Sequence, residues 1–456
     1  MAGLYLSSSL FAEEAMPTAT PPNFIIIYAD DLGYGDLGSY GSTEHATPHI
    51  DRLANEGTRL TDFYMTSPVC TPSRVALFTG RHPARVGFET LLWPTSSGGL
   101  PHSEQTVAEV LKDNGYRTAL MGKWHLGHSE PAYLPMFHGF EEWYGMPYPN
   151  DMDPQHPQTV WREETWPEMP MMEGTEVIER PIDVNVLTQQ YTAKAVAFIA
   201  EHHHEPFFLV LSHAMPHTII GASPDFVGKS KNGLYGDSVE ELDWSTGEIM
   251  RTLRAFGLEE NTLVFFTSDN GAVHEERFGG EYNETVRRFH PDLSFGSNAP
   301  LRGGKMATYE GGVRVPGIAY WPKGIPAGSV EDSPAWVADL MPTFLDMAGI
   351  ALPENLDFDG ITLEPLLTGD TESLPKRPLV FGGINPTAMR YGKWKLVMPN
   401  QSRVVSPESE EPMLYDLSED IGESNNLADE NPEQLARMLE IFEAKIAEMH
   451  ADTVSR

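Results

Sequence analysis

The sequence predicts an α/β fold with a doubly wound, mostly parallel sheet, followed by a small C-terminal α+β subdomain. Unbroken apolar runs, such as residues 23–29 and 206–211, are typical of strands that are buried on both faces. Segments with helical periodicity alternate with these runs, which favours parallel strands joined by helices. Polar residues follow several strands directly, and ligands of such sheets bind at the edge where the parallel strands end.

The predicted elements alternate along most of the chain. Glycine ends two of the helices, at Gly57 and Gly115, because it readily adopts the left-handed conformation of a helix C-terminus. Residues 130–185 are rich in Pro, Met, Trp and acidic residues, and we expect a long insertion there that covers the sheet edge and shapes the pocket. The expected strands are 23–29, 117–122, 206–211, 262–266 and 317–321, and the expected helices are 48–56, 72–78, 103–114, 187–201 and 239–256.

The first 22 residues lie outside this pattern. They are weakly apolar and lack a basic beginning, which leaves two interpretations open: a truncated secretory signal peptide or a simple disordered leader. The first interpretation predicts a periplasmic or extracellular protein. No stretch of the chain approaches the apolar length of a transmembrane helix, so we expect no membrane span.

The pattern of predicted secondary structure changes near residue 375. Short strand-like runs precede a single helix, which predicts a small antiparallel sheet with a packed helix. The runs are 379–381, 393–397 and 412–415, and the helix is 432–450. We therefore expect three parts: a leader at 1–22, a main domain at 23–374 and a C-terminal subdomain at 375–456.

The composition is strongly acidic, with 66 Asp and Glu residues against 31 Lys and Arg and a formal net charge of −35. This charge argues against nucleic acid and anionic membrane surfaces as general partners. It also repels anionic substrates, so an anion-binding site has to concentrate cationic side chains locally. We interpret the excess as an aid to solubility in a saline medium. The single cysteine, Cys70, excludes an intramolecular disulfide bond.

Cys70 lies just ahead of a predicted helix start. Thr71 suits the N-cap position and Pro72 the first helical position, so Cys70 would face unpaired backbone N–H groups and the positive end of the helix dipole. Arg74 adds a permanent positive charge. A lone cysteine is more commonly packed as a small hydrophobic residue, but a group that attacks an anionic ester would suit this position.

Two polar pairs each follow an apolar strand directly. Asp30 and Asp31 end the first strand, and Asp269 and Asn270 end a later one. Their carboxylates would repel one another at one sheet edge unless a positive charge lay between them. A hard divalent cation fits, and calcium tolerates irregular oxygen coordination better than magnesium, whereas zinc more often recruits His or Cys. Either pair alone would be an ordinary turn or helix cap.

Several motifs together resemble type I sulfatases, in the order of that family. The closest likeness is to the branch of arylsulfatase A and N-acetylgalactosamine-6-sulfatase, within the alkaline-phosphatase-like fold. The motifs cover most of residues 23–320. They lie at 30–36, 70–74 (Cys-Thr-Pro-Ser-Arg), 122–127, 268–271 and 304–312, with further likeness at 414–417 and 426–428.

The resemblance implies hydrolysis of a sulfate monoester on a sulfated carbohydrate or an aryl sulfate. In the family, the cysteine equivalent to Cys70 is oxidised to Cα-formylglycine, and the hydrate of this aldehyde is the nucleophile. A formylglycine-generating enzyme or an anaerobic sulfatase-maturing enzyme would be the partner in that modification. A Ca²⁺ ion would be held by Asp30, Asp31, Asp269, Asn270 and the modified residue 70.

The resemblance also implies roles for five other side chains. Arg74 would hold the hydrated aldehyde and favour its ionised oxygen. Lys123 and Lys305 would bind sulfate oxygens. His217 would protonate the leaving alcohol or help Lys305 to do so. His125 would take a proton from the second hydroxyl of the hydrate, which expels sulfate and regenerates the aldehyde.

Some residues near these motifs stay ambiguous. His213 is an alternative to His217, although the Met-Pro-His pattern favours His217. Related sulfatases often have a serine where this chain has Pro149, and Asn150 is our candidate for the lost sulfate contact. For Trp93 and His102, two interpretations are open: they line the rim of the substrate pocket, or they pack within their own loop. For the histidine run 202–204, the interpretations are metal binding and simple exposure to solvent.

Two other functions compete with sulfate hydrolysis. One is a phosphoesterase or phosphonate monoester hydrolase of the alkaline phosphatase superfamily, acting at the same sheet edge. The other is a catalytically silent, metal-stabilised binding protein with an unconverted Cys70. The full set of lysines, histidines and acids argues against the silent protein.

Overall fold

A large sheet forms the centre of the molecule. The computed structural model describes residues 21–88, 91–153, 166–273, 295–399 and 410–454. Within these ranges, eleven strands make up the large sheet. They are β1 (Asn23–Ala29), β2 (Thr58–Tyr64), β3 (Arg117–Gly122), β4 (Glu142–Gly145), β5 (Met171–Glu173), β6 (Glu176–Glu179), β7 (Phe207–Ser212), β8 (Thr262–Ser268), β9 (Arg314–Tyr320), β10 (Ser329–Glu331) and β11 (Ala335–Trp336).

The strand order is β10-β2-β9-β8-β1-β7-β3-β4-β5-β6, with β11 beside β2. The central strands β8, β1, β7, β3 and β4 are parallel neighbours. On one side of them, β9 runs antiparallel to both β8 and β2. At the other edge, β5 runs antiparallel to β4, and β6 runs antiparallel to β5. The prediction of a mostly parallel sheet is therefore confirmed. All residues of β1, β7 and β8 are buried, as expected of strands that are covered on both faces.

Helices cover both faces of the sheet, and alternate residues of β1 pack on opposite sides. Ile25 and Ile27 belong to a core with helices 48–56, 187–201 and 233–255, whereas Phe24 and Ile26 belong to a core with helices 70–79, 107–113 and 340–347. This two-layer burial is the doubly wound arrangement. The α-helices of the described ranges are α1 (Pro48–Glu56), α2 (Cys70–Thr79), α3 (Pro83–Val86), α4 (Val107–Asp113), α5 (Leu187–Glu201), α6 (Gly233–Ala255), α7 (Glu310–Val313), α8 (Leu340–Met347), α9 (Glu364–Leu367) and α10 (Pro432–Val454).

A separate antiparallel sheet of four strands follows, as expected from the C-terminal pattern. Its apolar face packs against α10 in a third core that includes Val380, Leu396 and Met438. The boundary at residues 374 and 375 stays a prediction, and residues 1–20 of the predicted leader lie outside the described ranges. The strands are β12 (Pro378–Gly382), β13 (Pro386–Tyr391), β14 (Trp394–Val397) and β15 (Met413–Asp416).

Three predicted helix starts are wrong, and one of them is that of α6, which begins at Gly233 and not at Val239. The cysteine helix begins at Cys70 itself, with Val69 as its N-cap, and not at Pro72. Pro72 still fits, because the first-turn N–H groups have no partner within the helix. The helix predicted from residue 103 begins at Val107, since Thr106 and Glu109 form a reciprocal capping box.

The predicted insertion at 130–185 is partly regular structure. Its described part contributes β4, β5 and β6, which extend the large sheet. Residues 154–165 of this stretch lie outside the described ranges. Within the described residues, no helix combines the length and apolar character needed to cross a membrane.

Candidate active site

The ends of four parallel strands place the polar side chains together. The register pairs Ala29 with Ser268 and Gly122 with Ser212, so β8, β1, β7 and β3 end at one edge of the sheet. The residues that follow these strands include Asp269, Asp30 and Lys123. This edge is the place where an open α/β sheet binds its ligands.

The two polar pairs predicted from the sequence lie in direct contact. The Asp31 N–H donates to Asp269 Oδ1 at 3.2 Å, and Asn270 Nδ2 donates to Asp31 Oδ1 at 2.7 Å. Asp30, Asp31, Asp269 and Asn270 are all buried. The structure thus brings three carboxylates and one amide into a space that excludes water.

Cys70 lies among these carboxylates, in the first turn of α2. Its Sγ is 3.6 Å from Asp30 Oδ1 and 3.7 Å from Lys305 Nζ. Burial, reinforced by the negative charge of Asp269, raises the pKa of the Cys70 thiol. The unmodified side chain therefore stays protonated at neutral pH in the metal-free protein, which makes it a weak nucleophile.

Three buried cations balance the three carboxylates. Lys123 Nζ donates to Asp30 Oδ2 at 2.5 Å, and Lys305 Nζ lies 2.6 Å from Asp31 Oδ1 and 2.8 Å from Oδ2. Arg74 Nη2 donates to Asp269 Oδ2 at 2.8 Å. The formal charges of these six side chains, all within the described residues, cancel.

Two residues that we had not predicted fix the Arg74 guanidinium. Ser212 Oγ accepts from Nη1 at 2.7 Å, and the Tyr28 ring lies below the guanidinium at 5.1 Å from its centroid. Both lie on central strands, where a sequence pattern shows burial but not which cation a side chain will meet. They orient Arg74 toward the carboxylates and away from the apolar core.

Positive φ angles occur at or just after the ends of β1 and β3, beside the residues of the site. Gly122 has φ of +119°, and a Cβ atom there would lie 1.8 Å from Ser212 O. His125 has φ of +61°, and Asp31 has φ of +66°. Non-glycine residues rarely adopt this region, and such strain is concentrated at functional sites.

The predicted histidines lie in different surroundings. His217 Nε2 is 3.6 Å from Asp31 Oδ2, so His217 belongs to the carboxylate cluster. His125 Nε2 contacts Leu92 O at 2.9 Å, and its buried Nδ1 has no hydrogen-bond partner. His213 Nε2 instead faces Ser245 Oγ at 3.2 Å, within the core behind the site.

Burial and neighbouring charges shift the pKa values of the carboxylates and imidazoles of the site. Burial alone would raise the pKa of Asp31, but His217 and Lys305 outweigh it and hold that pKa well below its ordinary value. Burial and the charge of Asp30 raise the pKa of Asp269. Burial, opposed by the charge of Asp31, lowers the pKa of His217 to about 4. Burial, together with the charge of Lys123, lowers the pKa of His125 well below its ordinary value.

Two of the clustered groups, Asp30 and Asp31, are oxygen donors that suit a hard cation, whereas Cys70 and His217 offer a thiol and an imidazole. Asp30, Asp31, Cys70 and His217 each offer one ligand atom, and these atoms lie within 4.8 Å of one another. Asn270 Oδ1 is buried and has no hydrogen-bond partner, so an amide oxygen is also available. Oxygen donors of this kind suit calcium or magnesium. His217 was expected in the site, on the Met-Pro-His stretch after β7, as a proton donor and not as a possible metal ligand.

The residues that the sequence left ambiguous have the following contacts in the structure. Asn150 is buried, its Nδ2 donates to Ile219 O at 2.5 Å, and its Oδ1 has no partner. His102 stacks on His138, with 4.8 Å between ring centroids. His202, the first of the histidine run, contacts Glu142 Oε1 at 3.1 Å near the end of α5, so it does not join the carboxylate cluster.

Known proteins are similar to this chain over nearly its whole length. A family model described as Sulfatase matches residues 22–350, and one described as N-sulphoglucosamine sulphohydrolase, C-terminal, matches residues 304–452. The chain is 40% identical to arylsulfatase A of Bos taurus, over 94% of this chain and 89% of that protein. It is 39% identical to the N-acetylgalactosamine-6-sulfatase of Canis lupus familiaris, over 82% of this chain and 71% of that protein.

A solved structure extends this likeness to the fold. A sulfatase from Pseudoalteromonas sp. is similar with a TM-score of 0.81 and 31% identity, over 94% of this chain and 90% of that one. These matches confirm the family and the enzyme class that the motifs predicted. The chain belongs to the sulfatase family and is a sulfuric ester hydrolase.

Proposed function

We propose that the protein hydrolyses a sulfate monoester of a sulfated carbohydrate or an aryl sulfate, with formylglycine at position 70 as the source of the nucleophile. The observation that carries this proposal is the position of Cys70, between the Asp30 carboxylate and the Lys305 ammonium at the sheet edge. The names of the relatives, an arylsulfatase and an N-acetylgalactosamine-6-sulfatase, support these two substrate classes.

We infer that Asp30, Asp31, Asp269, Asn270 and residue 70 hold a Ca²⁺ ion. When bound, the ion supplies Lewis acidity toward a sulfate oxygen. The partnerless Oδ1 of Asn270 and the crowded carboxylates support this assignment. Since the six charged side chains of the cluster cancel, a divalent cation leaves the site with a charge of about +2, which complements an anionic ester.

The cationic side chains would bind and orient the sulfate group. Lys123 and Lys305 now contact Asp30 and Asp31. With a cation held by those carboxylates, the two ammonium groups would be available to sulfate oxygens. Arg74, fixed by Ser212 and Asp269, would hold the oxygen of residue 70 and favour its ionised form.

The two histidines would transfer protons in different steps of the reaction. His125 is buried and neutral, and its partnerless Nδ1 can accept a proton from a hydroxyl of hydrated residue 70. His217 would protonate the leaving alcohol, with Lys305 as its helper or replacement. Because burial holds the pKa of His217 at about 4, the anionic ester has to raise that pKa before His217 can donate.

Three further assignments belong to this proposal. Asn150 would contact the sulfate where Pro149 cannot, through its second amide hydrogen. A formylglycine-generating enzyme or an anaerobic sulfatase-maturing enzyme would convert Cys70. The protein would act in the periplasm or outside the cell.

Steady-state kinetics test the reaction class. The wild-type protein, produced in a host with a converting enzyme, is assayed on 4-nitrophenyl sulfate and 4-nitrophenyl phosphate. We expect a larger kcat/KM for the sulfate and loss of turnover in Cys70→Ala. A preference for the phosphate would favour a phosphoesterase, and full activity of Cys70→Ala would refute the role of residue 70.

A further inference from the structure

Trp93 lies in a loop that is fastened to two segments of the site. The Leu92 N–H donates to Thr71 Oγ1 at 3.5 Å, next to Cys70, and Leu92 O contacts His125 Nε2 at 2.9 Å. On the other side, Pro94 O contacts His128 Nε2 at 3.1 Å. Trp93 therefore lies between two anchored residues, of which Leu92 contacts the histidine proposed to accept a proton.

The Trp93 side chain nevertheless points away from the core. It is 41% exposed, and it is the one tryptophan among the described residues that counts as an exposed large apolar side chain. Its neighbours Leu92 and Leu100 in the same loop are buried. The loop therefore buries these two leucines and leaves the indole of Trp93 partly open to solvent.

A second tryptophan from a distant part of the chain supports this ring. Trp166 stacks on Trp93 with 5.6 Å between ring centroids and 28° between ring planes. Trp166 is itself partly buried and packs against the core that lies between the large sheet and α5. The two indoles therefore form a backed aromatic surface and not a single mobile side chain.

The chemistry of this surface complements that of the buried cluster. The cluster takes an anionic group, whereas the π face of an indole repels anions and attracts C–H groups and aromatic rings. A neutral surface also avoids the repulsion that a chain of net charge −35 imposes on anionic substrates. The part of the substrate suited to the indoles is thus a ring that lies beyond the ester oxygen.

We propose that Trp93 and Trp166 form a specificity-determining platform that binds the ring carrying, or next to, the sulfate ester. The ligand chemistry is the apolar face of a ring, either an aryl ring or the C–H face of a pyranose. This inference rests on the proposed function, because that function defines where the sulfate lies. The platform contributes affinity for the ring and plays no part in proton transfer.

Equilibrium binding to a protein that cannot turn over tests the platform apart from the reaction. The background is Cys70→Ala, and the compared proteins add Trp93→Ala, Trp93→Phe or, as a control, Trp394→Ala. Trp394 is a half-buried tryptophan on β14 of the small sheet. The probes are 4-nitrophenyl sulfate, galactose 6-sulfate and butyl sulfate, which has no ring.

Trp93→Ala should raise the Kd of at least one ring ligand about three- to tenfold, with Trp93→Phe closer to the parent. The ring ligand that is affected identifies the source as aryl or sugar. Butyl sulfate binding and the Trp394→Ala control should stay unchanged. The platform would be overturned if neither ring ligand changed its Kd between the parent and Trp93→Ala. It would also be overturned if Trp93→Ala weakened butyl sulfate binding as much as ring-ligand binding. If ring ligands bind through Trp93 but the wild-type protein hydrolyses no sulfate ester, the proposed function fails and the platform stands.

Discussion

Replacing Lys305 by Met tests whether an ammonium group and a cation compete for the same carboxylate. Lys305 Nζ lies within 2.8 Å of both oxygens of Asp31, and both side chains are almost fully buried. Removing one partner of such a pair leaves an uncompensated buried charge, at a cost of about 3–5 kcal/mol in the free energy of unfolding.

This cost corresponds to a measurable shift in Tm. At about 2.1 cal/mol/K per residue, unfolding of 456 residues carries an entropy of about 1 kcal/mol/K. Lys305→Met should therefore lower the Tm of the metal-free protein by about 3–5 °C. Bound Ca²⁺ neutralises Asp31 in place of the ammonium, so the loss should be smaller in calcium and the calcium-induced rise in Tm should grow.

Scanning calorimetry in EGTA and in excess CaCl₂ measures both values. Lys395→Met is the matched control, because Lys395 is also fully buried and donates to Glu310 Oε1 at 2.7 Å, outside the metal-ligand cluster. It should lower Tm equally with and without calcium. An equal fall for Lys305→Met in both conditions would refute the competition and the placement of the ion beside Asp31.

Two further substitutions test the strained strand end and a buried carboxyl group. In Gly122→Ala, the new Cβ would lie 1.8 Å from Ser212 O and displace Lys123. This variant should therefore lower kcat/KM by about tenfold or more and should also lower Tm. Unchanged kinetics would contradict this expectation. Burial raises the pKa of Asp243, which accepts the N–H groups of His49 and Ile50, to about 7. Since this folded-state pKa exceeds the unfolded one, the stabilisation from Asp243 is present at low pH and is lost as pH rises from about 4 to about 7. The Tm of Asp243→Asn relative to wild type should therefore rise over that range, and a difference that does not change with pH would contradict the shift.

The sequence was most informative where a local pattern determines long-range neighbours. Asp30 and Asp269 could be placed together because each follows an apolar strand, and parallel strands end at one edge. The same reasoning predicted Lys123 after β3. Strand ends therefore placed these residues at one edge of the sheet, whereas Cys70, Arg74 and Lys305 entered the candidate site through the resemblance to sulfatases.

Other features depend on contacts that no short window of sequence contains. The start of α2 at Cys70 follows from the path of residues 66–69, where Ser73 Oγ donates to Ser67 O. The Thr106 capping box, by contrast, is a Thr-x-x-Glu pattern within the sequence itself, and it marks the helix start. The contact of His217 with Asp31 and the stacking of Trp93 on Trp166 join segments whose meeting depends on loop conformation.

The chemical state of residue 70 is the most direct test of the proposed mechanism. Mass spectrometry of the tryptic peptide that spans residues 60–74 gives the fraction of chains in which CH₂SH has become CHO. Hydrolysis of 4-nitrophenyl sulfate is then measured on preparations with different converted fractions. We predict that activity is proportional to the converted fraction and vanishes with it. Full activity in a preparation whose Cys70 is entirely unmodified would contradict the mechanism.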